Sequence, residues 1–223
     1  MSTITLPRPA TGTPVAHGAE PFDPPAGQKA LIRWHIYIGF TALAFGVMHG
    51  LAQALSYANI DILNWFVGLK NYYQGLTIHG VFNAMVFTFA FTNGFLSLAT
   101  ARGLGRPLHG GLLHAAFWTL VLGVLAVAYP MFSGTASVLY TFYAPLQAHW
   151  VFYLGLALLV ISTWLTSVNL FVCVARWKKD HPGERIPLMA YASIATYIMW
   201  DMASIGVAVE VVGFLIPWSL GWI

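Results

Sequence analysis

One histidine stands inside a stretch of sequence that is otherwise apolar enough to cross a membrane. His79 lies about two helical turns inside the segment 72–88. An ionisable side chain at that depth is costly, so its presence indicates a function. A neutral imidazole can bind haem iron through one ring nitrogen while a hydrogen-bond acceptor fixes the other. His79 is therefore the leading candidate for a metal-ligating residue, as an axial ligand of haem iron.

His79 shares one face of a predicted helix with other polar side chains. Residues three or four positions apart point the same way on a helix, and this face carries Tyr72, Leu76, His79 and Asn83. Gly75 and Gly80 lack side-chain bulk, which would let a flat macrocycle or another helix approach the backbone closely. Spacing alone leaves two interpretations open: an iron ligand, or a histidine hydrogen-bonded across a helix pair.

A second histidine lies at a similar depth in the first apolar segment. His49 is about two turns from the outer end of that segment, so a haem held by His49 and His79 together is geometrically conceivable. The alternative is a close helix contact through Gly46 and Gly50 with His49 in a hydrogen bond, and the spacing favours it. His114 and His149 lie near segment ends, where an interfacial position is the simpler interpretation.

Two carboxylates stand in the last apolar segment. Asp201 and Glu210 are nine residues apart, so they point to different faces of a helix and do not form an acid–base pair. A proton-conducting or quinone-binding role and a neutral carboxyl group bonded to a neighbouring helix both remain open. The sequence contains no Ser-His-Asp order, phosphate loop or zinc signature.

The elements that position these residues are predicted to be membrane-spanning helices. Hydrophobic residues make up 58% of the chain and charged residues 8%, with a mean hydropathy of +0.71. Five apolar segments have the ~20 residues that a bilayer requires: 31–57, 72–100, 110–130, 146–175 and 187–216. All should be helical, because backbone groups in lipid must bond within their own segment. The predicted fold class is an all-α, polytopic membrane protein.

The basic residues predict the orientation. Of ten lysines and arginines, nine fall on one side of the predicted segments and only Lys70 on the other. This bias places the N-terminus in the cytoplasm and accounts for the pI of about 9.1 without any nucleic-acid partner. Residues 1–30, rich in proline, are predicted to be a flexible cytoplasmic tail, and residues 31–223 the membrane-embedded portion.

The outer connection between the third and fourth segments is long and mostly uncharged. It runs from residue 131 to residue 145 and carries Tyr140, Phe142 and Tyr143. Aromatic side chains favour the membrane interface, but such a loop could equally cover the edge of a cofactor. Composition does not separate the two. The single cysteine, Cys173, is predicted to be a packing residue.

Four stretches, in order along the chain, resemble one known family. Residues 72–88 are similar to the second transmembrane helix of haem–copper oxygen reductase subunit I, in its B-family branch, the ba-type cytochrome c oxidases. Three further stretches resemble the same subunit in the same order: QALSYANID at 53–61, VLYTFYAPL at 138–146 followed by His149-Trp150, and LIPWSLG at 215–221. The resemblance runs from about residue 31 to the end.

The resemblance implies specific roles. His79 would be an axial ligand of the low-spin haem b, with Tyr57, Tyr72 and Asn83 close to that haem and the loop from Tyr140 covering its outer side. The family reduces dioxygen to water with electrons that cytochrome c delivers through a copper centre on subunit II, coupled to proton translocation. The expected setting is the cytoplasmic (inner) membrane of a prokaryote.

The resemblance also implies what must come from other polypeptide. The family's second low-spin haem ligand, its high-spin haem and its copper are held by later helices, so the remainder of subunit I is an expected partner. The chain is therefore interpreted as a truncated or split subunit, inactive alone. Alternatives are a nitric oxide reductase large-subunit fragment, a self-sufficient five-span bis-histidine quinol cytochrome b, and a non-enzymatic transport or assembly subunit.

Overall fold

The chain folds into a bundle of long helices. The computed structural model describes residues 22–60, 62, 65, 69–142 and 144–223, and within these ranges five helices are long and apolar enough to cross a membrane. They are α1 (Ala26–Tyr57), α2 (Tyr72–Leu104), α3 (Gly110–Ser133), α4 (Trp150–Asp180) and α5 (Leu188–Ser219). The described residues contain no strand. The predicted all-α class and its five spans are confirmed.

Helix α1 begins about one turn earlier than the sequence pattern predicted. Its first residue is Ala26, directly after Pro24 and Pro25, whereas the apolar segment was drawn from residue 31. Proline is tolerated just before a helix because the first amides of a helix lack intrahelical partners. Residues 1–21, most of the predicted tail, lie outside the described residues, as do Asp61 and Tyr143.

The helix ends follow from local chemistry. Asn71, His109 and His149 each accept a hydrogen bond from a backbone amide in the first turn of α2, α3 and α4. Gly105 and Gly134 end α2 and α3 in the left-handed conformation, with φ of 63° and 77°. His149, predicted to be interfacial, is thus a helix cap, and His114 is exposed and bonded within its own helix.

Glycines hold α1 against α2 in an antiparallel contact. A Cβ atom added at Gly46 would collide with Asn83, one at Gly50 with His79, and one at Gly75 with Gln53. The close-packing face predicted at Gly46 and Gly50 is therefore confirmed. Helices in lipid associate through such close packing, since lipid tails offer no hydrophobic drive between them. The contact fixes which residues of α1 face His79.

Helices α4 and α5 are joined to the bundle by buried polar contacts. The Tyr197 hydroxyl donates to Asn93 Oδ1 at 2.7 Å, which links α5 to α2, and Trp200 Nε1 donates to Thr163 on α4 at 2.7 Å. Tyr197 is 1% exposed. A different side of α5, marked by Met199, Met202 and Ile205 among others, stays exposed. That apolar side has the character of a surface for lipid or for further helices.

Candidate functional site

His79 lies at a change of helix geometry. The first part of α2 is a regular α-helix from Tyr72 to Gly80, and a π-helical stretch follows over Val81–Phe87. A π-stretch widens the turn by one residue and frequently marks a functional site. No residue pattern in the sequence predicted it. The widened turn begins two residues after His79 and includes Asn83.

One ring nitrogen of His79 is bonded to the backbone of α1. Nδ1 lies 2.7 Å from the carbonyl oxygen of Gly46. A carbonyl can only accept, so Nδ1 must carry the proton and the lone pair of the neutral ring is on Nε2. The ring reaches this carbonyl because Gly50, one turn further along α1, presents no side chain. The contact selects the tautomer that an iron ligand needs.

The amide of Asn83 is the second group at the same nitrogen. Its Nδ2 atom lies 3.1 Å from His79 Nδ1, and its Oδ1 atom is buried with no hydrogen-bond partner among the described residues. Because a protonated Nδ1 can only donate, rotation of the amide by 180° would let the Asn83 oxygen accept from the ring. Asn83 lies next to His79, as the helical spacing predicted. Its amide contacts Nδ1, the ring nitrogen that faces α1.

The other ring nitrogen fits the role of a ligand. The His79 side chain is partly exposed, and the described residues give Nε2 no hydrogen-bond partner. Within those same residues, no group of three or more His, Cys, Asp or Glu side chains is placed to hold a metal ion. Haem iron would need only one such imidazole from this part of the chain, because the porphyrin nitrogens supply its equatorial ligands.

His49 belongs to a different environment. Its side chain is 6% exposed, Nδ1 lies 2.8 Å from the Phe45 carbonyl oxygen, and its ring meets Phe132 of α3 edge to face. Between His49 and His79, α1 and α2 are in direct contact through Gly50. A macrocycle between these helices would have to separate them and break the bond from His79 to Gly46. The geometry therefore opposes a bis-histidine haem between α1 and α2.

The glycines flanking His79 serve protein contacts. The amide of Gln53 fills the space at Gly75, and Tyr140 lies against Gly80, where an added Cβ would be 2.5 Å from the Tyr140 Cβ. The space at these glycines was predicted to admit either a flat macrocycle or another helix. In the described residues it is filled by side chains of α1 and of the loop that carries Tyr140. Tyr140 also lines an apolar cavity of about 240 Å³ between its loop, α2, α4 and α5.

The remaining predicted site residues lie further from His79 along the chain. Tyr57 is the last residue of α1 and is 83% exposed. Tyr72 is the first residue of α2, about 10 Å before His79 by helical rise, and its ring packs against Tyr73. The described contacts thus bring His79, Asn83 and the backbone of Gly46 together, with Tyr140 one residue away at Gly80.

The two carboxylates of α5 have separate surroundings. Asp201 is partly buried and receives a 2.5 Å hydrogen bond from Ser167 of α4, whereas Glu210 is exposed. For Asp201 this is the contact that the second of the two open alternatives describes, a carboxyl group bonded to a neighbouring helix. Cys173 is 2% exposed, as expected for a packing residue.

Sequence reasoning missed the polar residues of α2 that hold the outer loop. Gln74 and Thr77 are both fully buried at 0% exposure and bond to residues 131–139. The polarity of these two residues could have identified them from the sequence. An amide and a hydroxyl in an apolar span need hydrogen-bond partners.

Adding one methyl group at Gly50 should disturb His79 directly. In a Gly50→Ala variant of the complete complex, the new Cβ would overlap the His79 ring, and such overpacking costs about 1–3 kcal/mol. If His79 holds a haem, the reduced-minus-oxidised spectrum should show a shifted and weakened haem band. Gly27→Ala is the matched control, because nothing lies within 4 Å of its added Cβ. Identical spectra for both variants would contradict the placement of His79.

Known proteins resemble this chain in sequence and in fold. Residues 30–223 match the family described as Cytochrome C and Quinol oxidase polypeptide I. Cytochrome c oxidase subunit 1 of Thermus thermophilus is 39% identical over 198 residues, which cover 87% of this chain and 35% of that protein. A heme-copper terminal oxidase dimer solved by cryo-electron microscopy superposes with a TM-score of 0.85 at 36% identity, over 89% of this chain and 34% of that one.

The chain thus spans about a third of the length of the relatives it matches. Its five apolar helices and its similarity to oxidase subunits identify an integral membrane protein. The family match, over residues 30–223, covers nearly all the described residues. The chain belongs to the cytochrome c and quinol oxidase polypeptide I family.

Proposed function

We propose that this chain forms the N-terminal part of the catalytic subunit of a terminal cytochrome c oxidase, with His79 as one axial ligand of the low-spin haem b. The observation that carries the proposal is the 2.7 Å contact from His79 Nδ1 to the Gly46 carbonyl. Because a carbonyl only accepts, the contact selects the tautomer with the proton on the nitrogen that faces α1 and leaves Nε2 with its lone pair.

Each residue of the site then has a defined task. His79 presents Nε2, Gly46 supplies the acceptor that sets the tautomer, and Gly50 leaves room for the ring. Asn83 adds a second polar contact to Nδ1. A haem bound there would accept and pass on one electron at a time. In the family that this chain resembles, later helices supply the second axial ligand, so we expect it to come from outside these five helices.

The rest of the proposal concerns the complete protein. Later helices of subunit I would hold the high-spin haem and copper at which dioxygen is reduced, coupled to proton translocation. Subunit II with its copper centre and cytochrome c would deliver the electrons. The four sequence stretches described above support assignment to the B-family branch, and the relative from Thermus thermophilus supports a prokaryotic inner membrane.

A ligand exchange tests the role of His79 directly. Methionine at an axial position raises the potential of a haem relative to histidine. In the complete complex, His79→Met should raise the midpoint potential of haem b by on the order of 100 mV, since axial ligands tune haem potentials over about 0.8 V. A redox titration followed at the haem b band measures this.

The control is His149→Met, which changes an exposed helix-capping histidine and should leave the haem b potential where it is. Loss of the haem b band from the His79 variant would also support ligation, because thioether sulfur is a weaker ligand. An unchanged band with an unchanged potential would overturn the proposal.

A further inference from the structure

The hydroxyl group of Thr77 uses its full hydrogen-bonding capacity at a buried position. It donates to the Tyr73 carbonyl at 2.8 Å and accepts from the backbone amides of Val138 at 3.0 Å and Leu139 at 2.8 Å. A hydroxyl has one donor and two acceptor sites, so none is left over. Thr77 is 0% exposed, and two amides of the outer loop, defined as residues 134–142, therefore depend on this one oxygen.

Neighbouring residues of α2 and its N-terminus bond to the same region. Gln74 Nε2 donates to the Met131 carbonyl at 2.7 Å, Asn71 Nδ2 donates to Ser137 at 3.3 Å, and Lys70 Nζ donates to the Ser133 carbonyl at 2.7 Å. These contacts tie the C-terminal end of α3 and the start of the outer loop to α2. Thr77 is the deepest residue of the row and the one nearest to His79 in sequence.

The outer loop needs such a restraint. Leu139 has a φ of 61°, a conformation that costs energy for a residue with a side chain and persists only where the surroundings enforce it. The hydrogen bond from the Leu139 amide to Thr77 helps to hold this backbone conformation. Tyr140, the next residue, is thereby set against Gly80, which directly follows His79.

We infer that Thr77 is a positioning residue: its hydroxyl fixes the backbone at Val138 and Leu139, and so sets Tyr140 beside the segment that carries His79. This rests on the proposed function in one respect, namely that His79 binds haem b. The inference adds a residue that touches no cofactor and acts through the outer loop. Removing the hydroxyl leaves the buried amide of Val138 and the partly buried amide of Leu139 without their acceptor, which releases the loop.

The test compares Thr77→Val with Thr77→Ser in the complete complex. Valine keeps the size of threonine but cannot accept a hydrogen bond, and serine keeps the oxygen. We expect hydrogen exchange at Val138 and Leu139 to accelerate at least tenfold in the valine variant, together with a shifted haem b band. The serine variant should match the wild type in both readouts.

Thr100→Val is the matched control within the same helix. Thr100 is also 0% exposed, but within the part of the chain that the structure describes its hydroxyl has no hydrogen-bond partner, so its removal should change neither readout. If Thr77→Val does not accumulate, the wild-type complex still decides: slow exchange at both amides supports the inference, and exchange at the rate of an open loop overturns it.

The outcomes separate the two proposals. An unchanged exchange rate in Thr77→Val, or faster exchange with an unchanged haem b band, overturns the inference while leaving the ligand role of His79 intact. A haem b band that does not respond to His79→Met overturns the proposed function itself.

Discussion

Replacing His79 by leucine should remove low-spin haem b from the complete complex, with loss of its band in the reduced-minus-oxidised spectrum. Leucine fills an apolar span as well as histidine does but has no ring nitrogen, so the substitution removes the ligand with little change in packing. The Gly46 carbonyl loses only the bond from the ring and keeps its position within α1, where helical bonding satisfies it.

His49→Leu is the paired experiment. His49 bonds to the Phe45 carbonyl of its own helix and packs on Phe132, so its loss should leave the haem b band in place. A complex that loses the band with either leucine would instead support a haem held by both histidines. A complex that keeps the band without His79 would exclude His79 as a ligand.

The isolated 223 residues should show no oxidase activity. Dioxygen chemistry in this family requires a haem with an open position and a copper with its own ligands. The described residues provide no group of three or more side chains able to hold a metal ion. With reductant and haem supplied, an oxygen electrode should record only the background rate given by haem and reductant alone.

The comparison is the complete complex under the same conditions, which should consume oxygen steadily. Sustained consumption by the purified chain, above the background and without any other polypeptide, would contradict this prediction. Restoration of activity on adding the remaining part of the subunit would support a catalytic site that is completed by later helices.

The five membrane-spanning helices could be predicted from the sequence because each is marked by its own run of apolar residues. About twenty apolar residues in a row define a helix in lipid regardless of its neighbours. The start of α1 was less accessible, because residues 26–30 include Gln28 and Lys29 and carry no apolar signal. Helix formation there depends on backbone bonds that continue from the span.

The site was accessible only in part, for a different reason. His79 and Asn83 share a helix face, so their proximity could be predicted from spacing. The Gly46 carbonyl could not, because its role depends on the register between two helices and every residue has a carbonyl. The contacts of Thr77 depend on the path of a loop sixty residues further along the chain, which no local pattern specifies.

The acceptor of the His79 ring proton is a neutral backbone carbonyl, that of Gly46. A carboxylate in that position could take up the ring proton and give the imidazole anionic character as the oxidation state of the site changed. An amide carbonyl is far too weak a base to do so. Under the proposed function, the acceptor at Gly46 would therefore orient the imidazole without giving it anionic character.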